Sequence, residues 1–388
     1  MSNDIEKYVL LKKKNQQKID QFTYANDGKV DFYPNYIQLE HTNRCNASCI
    51  MCNHSYLGNR GCSSVDRRVI EIIKPILPYC LVLMINGDGE PFLTEGIEEL
   101  LCLYVDYGIR IGTNTNLCAL TESMIKKYFK LFSFVNISCD GAKEETFEKI
   151  RRGLNFNRFL ANLELTEQYA PQVKKNMDVV IMRQNIEESV LLVKLAHKYN
   201  FKEIRFHRMG VNPCIGNGMD SDALFPRYAF EWMQRAKQEG EKLGISVVIP
   251  SFDIKDDIGD IESQRSYVQS ASWDDVDLRL NIAAERYAHL DLKNSYLTQN
   301  ISMQDLRDSK FHTDKMCRWS LERIYIDTQG NLSTCCYNVM KKMGNLLDVD
   351  SFEELWNGEL YREFRLSMNE FILPEWCRMC HWLKEGKF

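Results

Sequence analysis

The sequence predicts an α/β fold, favouring a partial parallel (β/α)6 barrel, and two observations carry that expectation. From Tyr36 to about Val248, short apolar runs alternate with amphipathic stretches. Strands that alternate with helices are joined by right-handed crossovers, which lay the strands parallel. The candidate strands are Tyr36–Glu40, Cys80–Ile85, Ile109–Thr113, Phe134–Ser138, Met177–Met182 and Glu203–His207. Six such units favour a barrel of the TIM type. A doubly wound open sheet is the alternative, since periodicity does not separate the two.

The helices follow from spacing. Ile97, Leu100, Leu101, Tyr104 and Val105 recur at helical intervals, with Thr94 as N-cap and Gly108 as the stop. Thr121 opens another helix, with Met124, Ile125, Tyr128 and Phe129 on one face, and Leu224–Lys242 reads as one more. Ser251–His312 is polar and acid-rich (Asp253, Asp256, Asp257, Asp260, Asp274, Asp275, Asp277). It reads as a linker or insertion with one or two helices, either a solvated surface or a lid. From Met316 short strands are expected around Ile324–Asp327 and Leu332–Cys336, then a helix over Phe352–Met368, a small α+β segment. The expected domains are an extension over 1–34, the barrel over 35–250, the linker over 251–312 and a C-terminal domain over 313–388.

Composition excludes several classes. The chain has 388 residues, 44% of them hydrophobic and 27% charged, which suits globular domains rather than disorder. A net charge of −5 gives no global attraction to nucleic acid or an anionic membrane. The start, MSNDIEKYVLLKKKNQQK, has charges where a secretory signal is apolar. The longest apolar run, Ile76–Ile85, contains Pro78 and is far short of the ~20 residues that span a bilayer. The fourteen cysteines are therefore expected in a reducing cytoplasm, as metal ligands or redox groups.

Cys45, Cys49 and Cys52 form C-x3-C-x2-C directly after the first strand, in HTNRCNASCIMC. Three thiolates on one tight loop hold three corners of a 4Fe–4S cubane and leave one iron open. Zinc normally shows paired C-x2-C units, and no second pair lies near, although His54 could complete a zinc site. Functional groups of parallel βα barrels sit at the C-terminal ends of strands, where this loop falls. The second strand runs into Gly87-Asp88-Gly89-Glu90-Pro91. An ammonium group needs a carboxylate and close backbone carbonyls, and glycines allow that approach. Alone, the stretch reads equally as a strand-ending turn.

The triplet resembles that of the radical SAM superfamily. The resemblance implies an open iron that binds the amino and carboxylate groups of S-adenosylmethionine. One electron then releases a 5′-deoxyadenosyl radical, which abstracts a substrate hydrogen. Met51 stands where the family often has an aromatic residue. Gly87, Asp88, Gly89 and Glu90 resemble the family's G-x-G-E-P motif, which implies a contact to the cofactor ammonium. Asn114 lies in the polar end of the third strand, and Ser138-Cys139-Asp140-Gly141 resembles the family's S-x-D-G stretch. The resemblance implies that Ser138 contacts the cofactor and that Arg151 or Arg152 pairs its carboxylate. Read as residues, the arginines equally suit a helix C-terminus, and Asp140 a turn or cap.

Cys317 and Cys335 fit C-x12-G-x4-C through Gly330, and Cys377 and Cys380 form C-x2-C. Spacing alone favours zinc. In company with Cys336, Gly344-Asn345 and Glu354-Leu355-Trp356-Asn357, the set resembles the SPASM or twitch extension of radical SAM enzymes. That resemblance implies auxiliary iron–sulfur chemistry, here one auxiliary 4Fe–4S cluster, with the choice between Cys335 and Cys336 left open. Cys62, Cys80, Cys102, Cys118, Cys139 and Cys214 read mainly as small buried hydrophobes. Cys214, after the sixth strand, could instead give a hydrogen atom to a substrate radical. His207 and Arg205 end that strand and are expected to point alternately, so that one faces the cavity as a proton acceptor.

The resulting expectation is a radical SAM oxidoreductase acting on a small polar metabolite, such as a carbohydrate or aminocyclitol. A flavodoxin- or ferredoxin-type donor would supply the electron. The alternatives are a maturase of ribosomally made peptides and, in another class, a non-catalytic iron–sulfur carrier. Family maturases often carry a recognition domain ahead of the triplet, and only 44 residues precede Cys45. A carrier has no use for an open iron.

Overall fold

The computed structural model describes residues 2–22, 27–55, 63–210, 217–252, 254, 259–287, 299–300, 302–308, 310–313, 317–336, 341–378 and 380. The chain divides into two compact units. One comprises residues 1–44, 61–112 and 291–388; the other comprises 45–60 and 113–290.

In the first unit Tyr36–Leu39 lies beside Val82–Met84, which pairs with the start of Arg110–Thr115; every pairing is parallel. On its other edge Tyr36–Leu39 takes a strand from the C-terminal segment. Arg323–Ile326 runs parallel to it, Ile37 opposite Ile324 and Leu39 opposite Ile326, all four buried. Arg323–Ile326 then turns back antiparallel into Asn331–Ser333, which pairs with Lys341–Asn345. Helix Ser2–Asp20 is tied to this unit by Lys12, whose ammonium donates to the carbonyls of Tyr107 and Gly108 at 2.6 and 2.7 Å. These close the exposed end of helix Ile97–Asp106, where a cation complements the helix dipole.

In the second unit Phe134–Ser138, Lys174–Ile181, Glu203–Arg208 and Ser246–Val248 lie side by side in chain order, all parallel. Their two faces differ. Val135, Ile137, Met177, Val179, Ile181, Ile204 and Phe206 alternate onto one face and are buried. The opposite face carries Asn136, Ser138, Asn176, Asp178, Glu203, Arg205 and His207.

The fold is α/β with parallel strands alternating with helices, as expected, and local differences have physical causes. Gly96, at φ +70, rather than Thr94, precedes helix Ile97–Asp106, whereas Thr121 does cap Glu122–Tyr128 through the Met124 N–H. The fifth strand begins at Lys174, before the apolar run. The Lys175 ammonium is buried there, donating to the Tyr199 carbonyl and paired with Glu167. The helix expected over Phe352–Met368 is two, Phe352–Trp356 and Glu359–Asn369. Between them Asn357 turns away to bond Val30 N–H and C=O at 2.9 and 3.0 Å. Cys80, Cys118 and Cys139 are buried, but Cys102 is exposed on its helix; Cys62 lies outside the described residues.

Among the described residues the acid-rich segment forms three helices, Ile261–Gln269, Trp273–Tyr287 and Met303–Asp308, and two short strands, Gln299–Asn300 and Lys310–His312. Trp273, Val276 and Leu280 pack against Ile50, Met51, Ile150, Met182 and Met209. One face of Trp273–Tyr287 thus covers the cysteine loop, while Leu278 and Ile282 on the same helix stay exposed.

Candidate cofactor and cluster site

Local backbone geometry builds the first cysteine loop. Ser48–Cys49 pairs antiparallel with Arg151–Arg152, and Ile50 N–H donates to the Ile150 carbonyl at 3.0 Å. Cys52 N–H closes a turn onto the Cys49 carbonyl at 3.1 Å. Gly153 follows at φ +89, where a Cβ would stand 3.1 Å from the Asn46 carbonyl oxygen. Left-handed backbone and close approach together require glycine. Asn46 is itself held by the Asn116 amide at 2.8 Å.

Cys49 is buried, and burial pushes its thiol up to about 12; Arg151 pulls the other way, and Cys52, Asp140 and Cys45 add to the rise. The three thiols are therefore electrostatic neighbours. Among the described residues no three such side chains yet converge at metal-binding distance. Three thiols on one loop suit an iron–sulfur cluster with an open iron.

Arg151 and Asp140 meet beneath this loop. Arg151 Nη2 lies 2.6 Å from Asp140 Oδ2, with the two side chains 9% and 0% exposed. Asp140 Oδ1 accepts from Val180 N–H at 2.7 Å, and its carbonyl accepts from Asn185 Nδ2 at 3.0 Å. Burial pushes the Asp140 carboxyl up and Arg151 draws it down. Burial outweighs Arg151, so the carboxyl stands above its ordinary range, while the guanidinium keeps its proton. Arg152 points elsewhere, onto Asp277 of the covering helix.

The Gly87–Glu90 turn belongs to the first unit. A Cβ on Gly87 would lie 2.5 Å from Glu40 Cγ, and one on Gly89 would lie 2.3 Å from the Thr42 carbonyl oxygen. Glu90 is buried; its N–H donates to the Arg44 carbonyl at 2.7 Å and its carboxylate accepts from Phe92 N–H at 3.3 Å. The motif carboxylate thus also caps the Pro91–Leu93 turn. Asp88 N–H donates to Glu40 Oε1 at 2.6 Å. Burial first, then Asp88, pushes the Glu40 carboxyl up to about 7.

Sequence reading missed Glu40, Asp178, Asn136 and Asn176. Asn136 Nδ2 donates to Asn114 Oδ1 at 2.8 Å, and Asn176 Nδ2 donates to Asn136 Oδ1 at 3.0 Å. Asp178 Oδ1 lies 2.9 Å from Arg205 Nε and 3.2 Å from His207 Nε2. Arg205 and His207 do not alternate; residues two apart on a strand share a face. Polar residues at every second strand position were the available signal. Ser138 sits opposite Asp178 on this face. Cys214 lies outside the described residues.

In the C-terminal segment Cys317 precedes helix Trp319–Glu322, and its carbonyl accepts from the Ser320 hydroxyl at 3.0 Å. Burial pushes its thiol up to about 11, and Cys380 adds to this. Cys380 also acts on Cys336, whereas Cys335 acts on the buried Tyr361. Cys380 N–H donates to the Cys377 carbonyl at 2.9 Å, the turn expected of C-x2-C.

Parallel strands, a triplet loop at a strand end and a second thiol group define an iron–sulfur α/β protein. Comparison with known families makes this particular. Residues 39–196 match the radical SAM superfamily, and residues 317–381 match the SPASM iron–sulfur cluster-binding domain. The chain belongs to the radical SAM superfamily and carries a C-terminal SPASM domain. Its cofactors are a 4Fe–4S cluster with S-adenosylmethionine and auxiliary iron–sulfur. GTP 3′,8-cyclase of Clostridium perfringens is 26% identical over 187 residues, 44% of this chain and 54% of that protein. Molybdenum cofactor biosynthesis protein moc-5 of Caenorhabditis elegans is 26% identical over 192 residues, 48% of this chain and 31% of that one. The match thus spans about half or less of these relatives. Among solved structures, anSMEcpe with bound AdoMet superposes at TM-score 0.56 and 20% identity, covering 91% of this chain and 84% of that one. Streptococcus suis SuiB bound to precursor peptide SuiA does so at 0.55 and 14%, covering 91% and 70%. At these identities the likeness is one of fold. Among the described residues no helix is long and apolar enough to cross a membrane.

Proposed function

We propose that this radical SAM enzyme oxidises a small polar metabolite, such as a carbohydrate or aminocyclitol. One observation carries the reading: the second unit's strands present Asn136, Asn176, Asp178, Glu203, Arg205 and His207 on one face. A strand face rich in hydroxyl-matching donors and acceptors suits a polyhydroxylated ligand better than an apolar side chain. When bound, the cluster with S-adenosylmethionine would supply radical chemistry able to take a hydrogen atom, and the auxiliary cluster would supply an acceptor for one electron. The chain supplies the remaining proton transfer. Asp178 receives His207 Nε2–H, which leaves Nδ1 to accept the substrate hydroxyl proton. Hydrogen atom, proton and electron together make the two-electron oxidation of an alcohol to a carbonyl.

In the same proposal Cys45, Cys49 and Cys52 hold the first cluster. By the family resemblance Gly87, Asp88, Gly89, Glu90, Asn114 and Ser138 would contact the cofactor, and Cys317, Cys377 and Cys380 with Cys335 or Cys336 would hold the auxiliary cluster. A peptide maturase is the second reading, prompted by the fold shared with SuiB. A cytoplasmic flavodoxin or ferredoxin is the proposed donor.

The test is anaerobic incubation of the loaded protein with dithionite and S-adenosylmethionine, against panels of sugars, aminocyclitols and peptides. Release of 5′-deoxyadenosine should rise with a polyol and yield its carbonyl product, and His207→Asn should lose product. A rise driven by peptides alone would replace this reading with the second.

A further inference from the structure

The Arg151 guanidinium is held at one side and left over at the other. Asp140 grips Nη2 at 2.6 Å, and Nη1 lies 3.9 Å from Cys49 Sγ. Arg151 Nε is buried and has no hydrogen-bond partner. The residue is 8% exposed. Backbone pairing of Cys49 with Arg151 fixes the two against each other independently of the side chains. Val180 and Asn185 in turn hold Asp140.

We propose that Arg151 is a positioning residue that donates to the Cys49 sulfur once the cluster is loaded, and so raises the reduction potential of that cluster. Hydrogen bonds to cluster sulfurs and nearby positive charge favour the more negative, reduced state. A buried cation in a low-dielectric setting acts strongly on that charge. Asp140 aims the guanidinium and offsets part of its charge. Arg151 would thereby make the single-electron loading of this cluster easier, without itself touching the cofactor.

The readout is an EPR-monitored redox titration of the holoprotein. It follows the reduced-cluster signal that changes when S-adenosylmethionine is added, which separates this cluster from the auxiliary one. Arg151→Gln should lower the reduced-to-oxidised ratio at a fixed potential about tenfold, a shift of about 59 mV for one electron. Arg151→Lys keeps the cation but loses the fork, and should fall by less. The dissociation constant for S-adenosylmethionine should stay within about twofold in both. A wild-type ratio in an iron-replete Gln variant overturns the proposal. So does an unchanged ratio with weakened cofactor binding, which would instead put Arg151 on the cofactor carboxylate. If neither variant loads iron, the wild-type protein decides. Labelling with 15N-arginine should add a nitrogen coupling to the pulsed EPR spectrum of the reduced cluster, and its absence overturns the contact.

Discussion

Cys45, Cys49 and Cys52 fall within eight residues of one loop, whereas Cys317, Cys335, Cys377 and Cys380 are drawn from 64 residues of chain. The first site needs only a turn and a two-residue backbone pairing to order its loop. The second depends on a strand, an antiparallel return and two helices holding distant segments in place. Its supports lie far from the thiols in sequence. Trp356 donates to the Phe32 carbonyl at 2.9 Å, and Arg365 stacks 4.2 Å from the Trp356 ring while donating to the Gly28 carbonyl at 3.1 Å. A local site tolerates damage elsewhere, and a non-local one inherits every weakness of its frame.

The largest effect should follow from emptying the local site. Replacing Cys45, Cys49 and Cys52 by Ala should abolish cleavage of S-adenosylmethionine. Iron should fall from about eight per chain to about four, one cubane lost of two. The protein should still fold, because the loop's pairing with Arg151–Arg152 is made by backbone. Iron and activity assays with circular dichroism check this. A wild type that saturates at four irons with one zinc would remove the auxiliary cluster from the comparison.

Emptying the non-local site should split the two activities. Cys377→Ala with Cys380→Ala should keep cofactor cleavage under strong reductant and lose most product, since the substrate radical loses its electron acceptor. A folded, soluble double mutant that makes product at the wild-type rate would remove the redox role. Loss of solubility with both activities falling together would make the second site a structural clasp.

The same contrast explains what the sequence disclosed. Six strands and the cysteine triplet were legible, because period-two alternation and close spacing are local signals. The Thr121 cap and the Gly108 stop were legible for the same reason. The Arg151–Asp140 pair was visible only as two separate motifs, since nothing local says that a strand-end carboxylate meets an arginine eleven residues on. Trp273, Val276 and Leu280 looked like part of a polar linker, because their partners, Ile50 and Met182 among them, lie on other segments. The helix break at Asn357-Gly358 was hidden because the anchor it serves is Val30. Choosing between Cys335 and Cys336 needs the side-chain directions, which are set by a bend and turn after strand Asn331–Ser333 rather than by strand alternation.

A smaller effect is expected at the cofactor turn. Glu90→Ala should weaken S-adenosylmethionine binding by roughly 1–3 kcal/mol, the scale of one buried charge-assisted hydrogen bond. It should leave the iron count at both sites unchanged. Because Glu90 also caps the Pro91–Leu93 turn, Glu90→Gln separates the roles. The amide keeps an acceptor for Phe92 N–H and loses the charge. Calorimetry on both variants would show the charge contribution as the affinity still lost in Gln. Equal affinity in Gln and wild type would reduce Glu90 to a cap.

The smallest effect concerns how the C-terminal segment is held to the first strand. Glu40 accepts from Asp88 N–H at 2.6 Å and from Thr328 N–H at 3.3 Å, so one carboxylate joins the cofactor turn to the SPASM domain's first hairpin. Its carboxyl is pushed up from 4.5 to about 7, by burial first. Between those values the folded chain holds a proton that the unfolded chain has released. Stability from this group is therefore complete below pH ~4.5 and drains away as pH rises through ~7, by on the order of 1 kcal/mol per pH unit. Urea midpoints taken from pH 5 to pH 8 should slope downward more steeply in wild type than in Glu40→Gln, whose amide does not titrate. The Gln variant should also retain more auxiliary iron at pH 8, if this carboxylate governs the frame of the non-local site. Parallel midpoint curves for the two proteins would show that Glu40 titrates as an ordinary carboxylate. The tie between the two regions would then rest on the parallel pairing of Tyr36–Leu39 with Arg323–Ile326 and on the anchors of Trp356, Asn357 and Arg365 to Phe32, Val30 and Gly28.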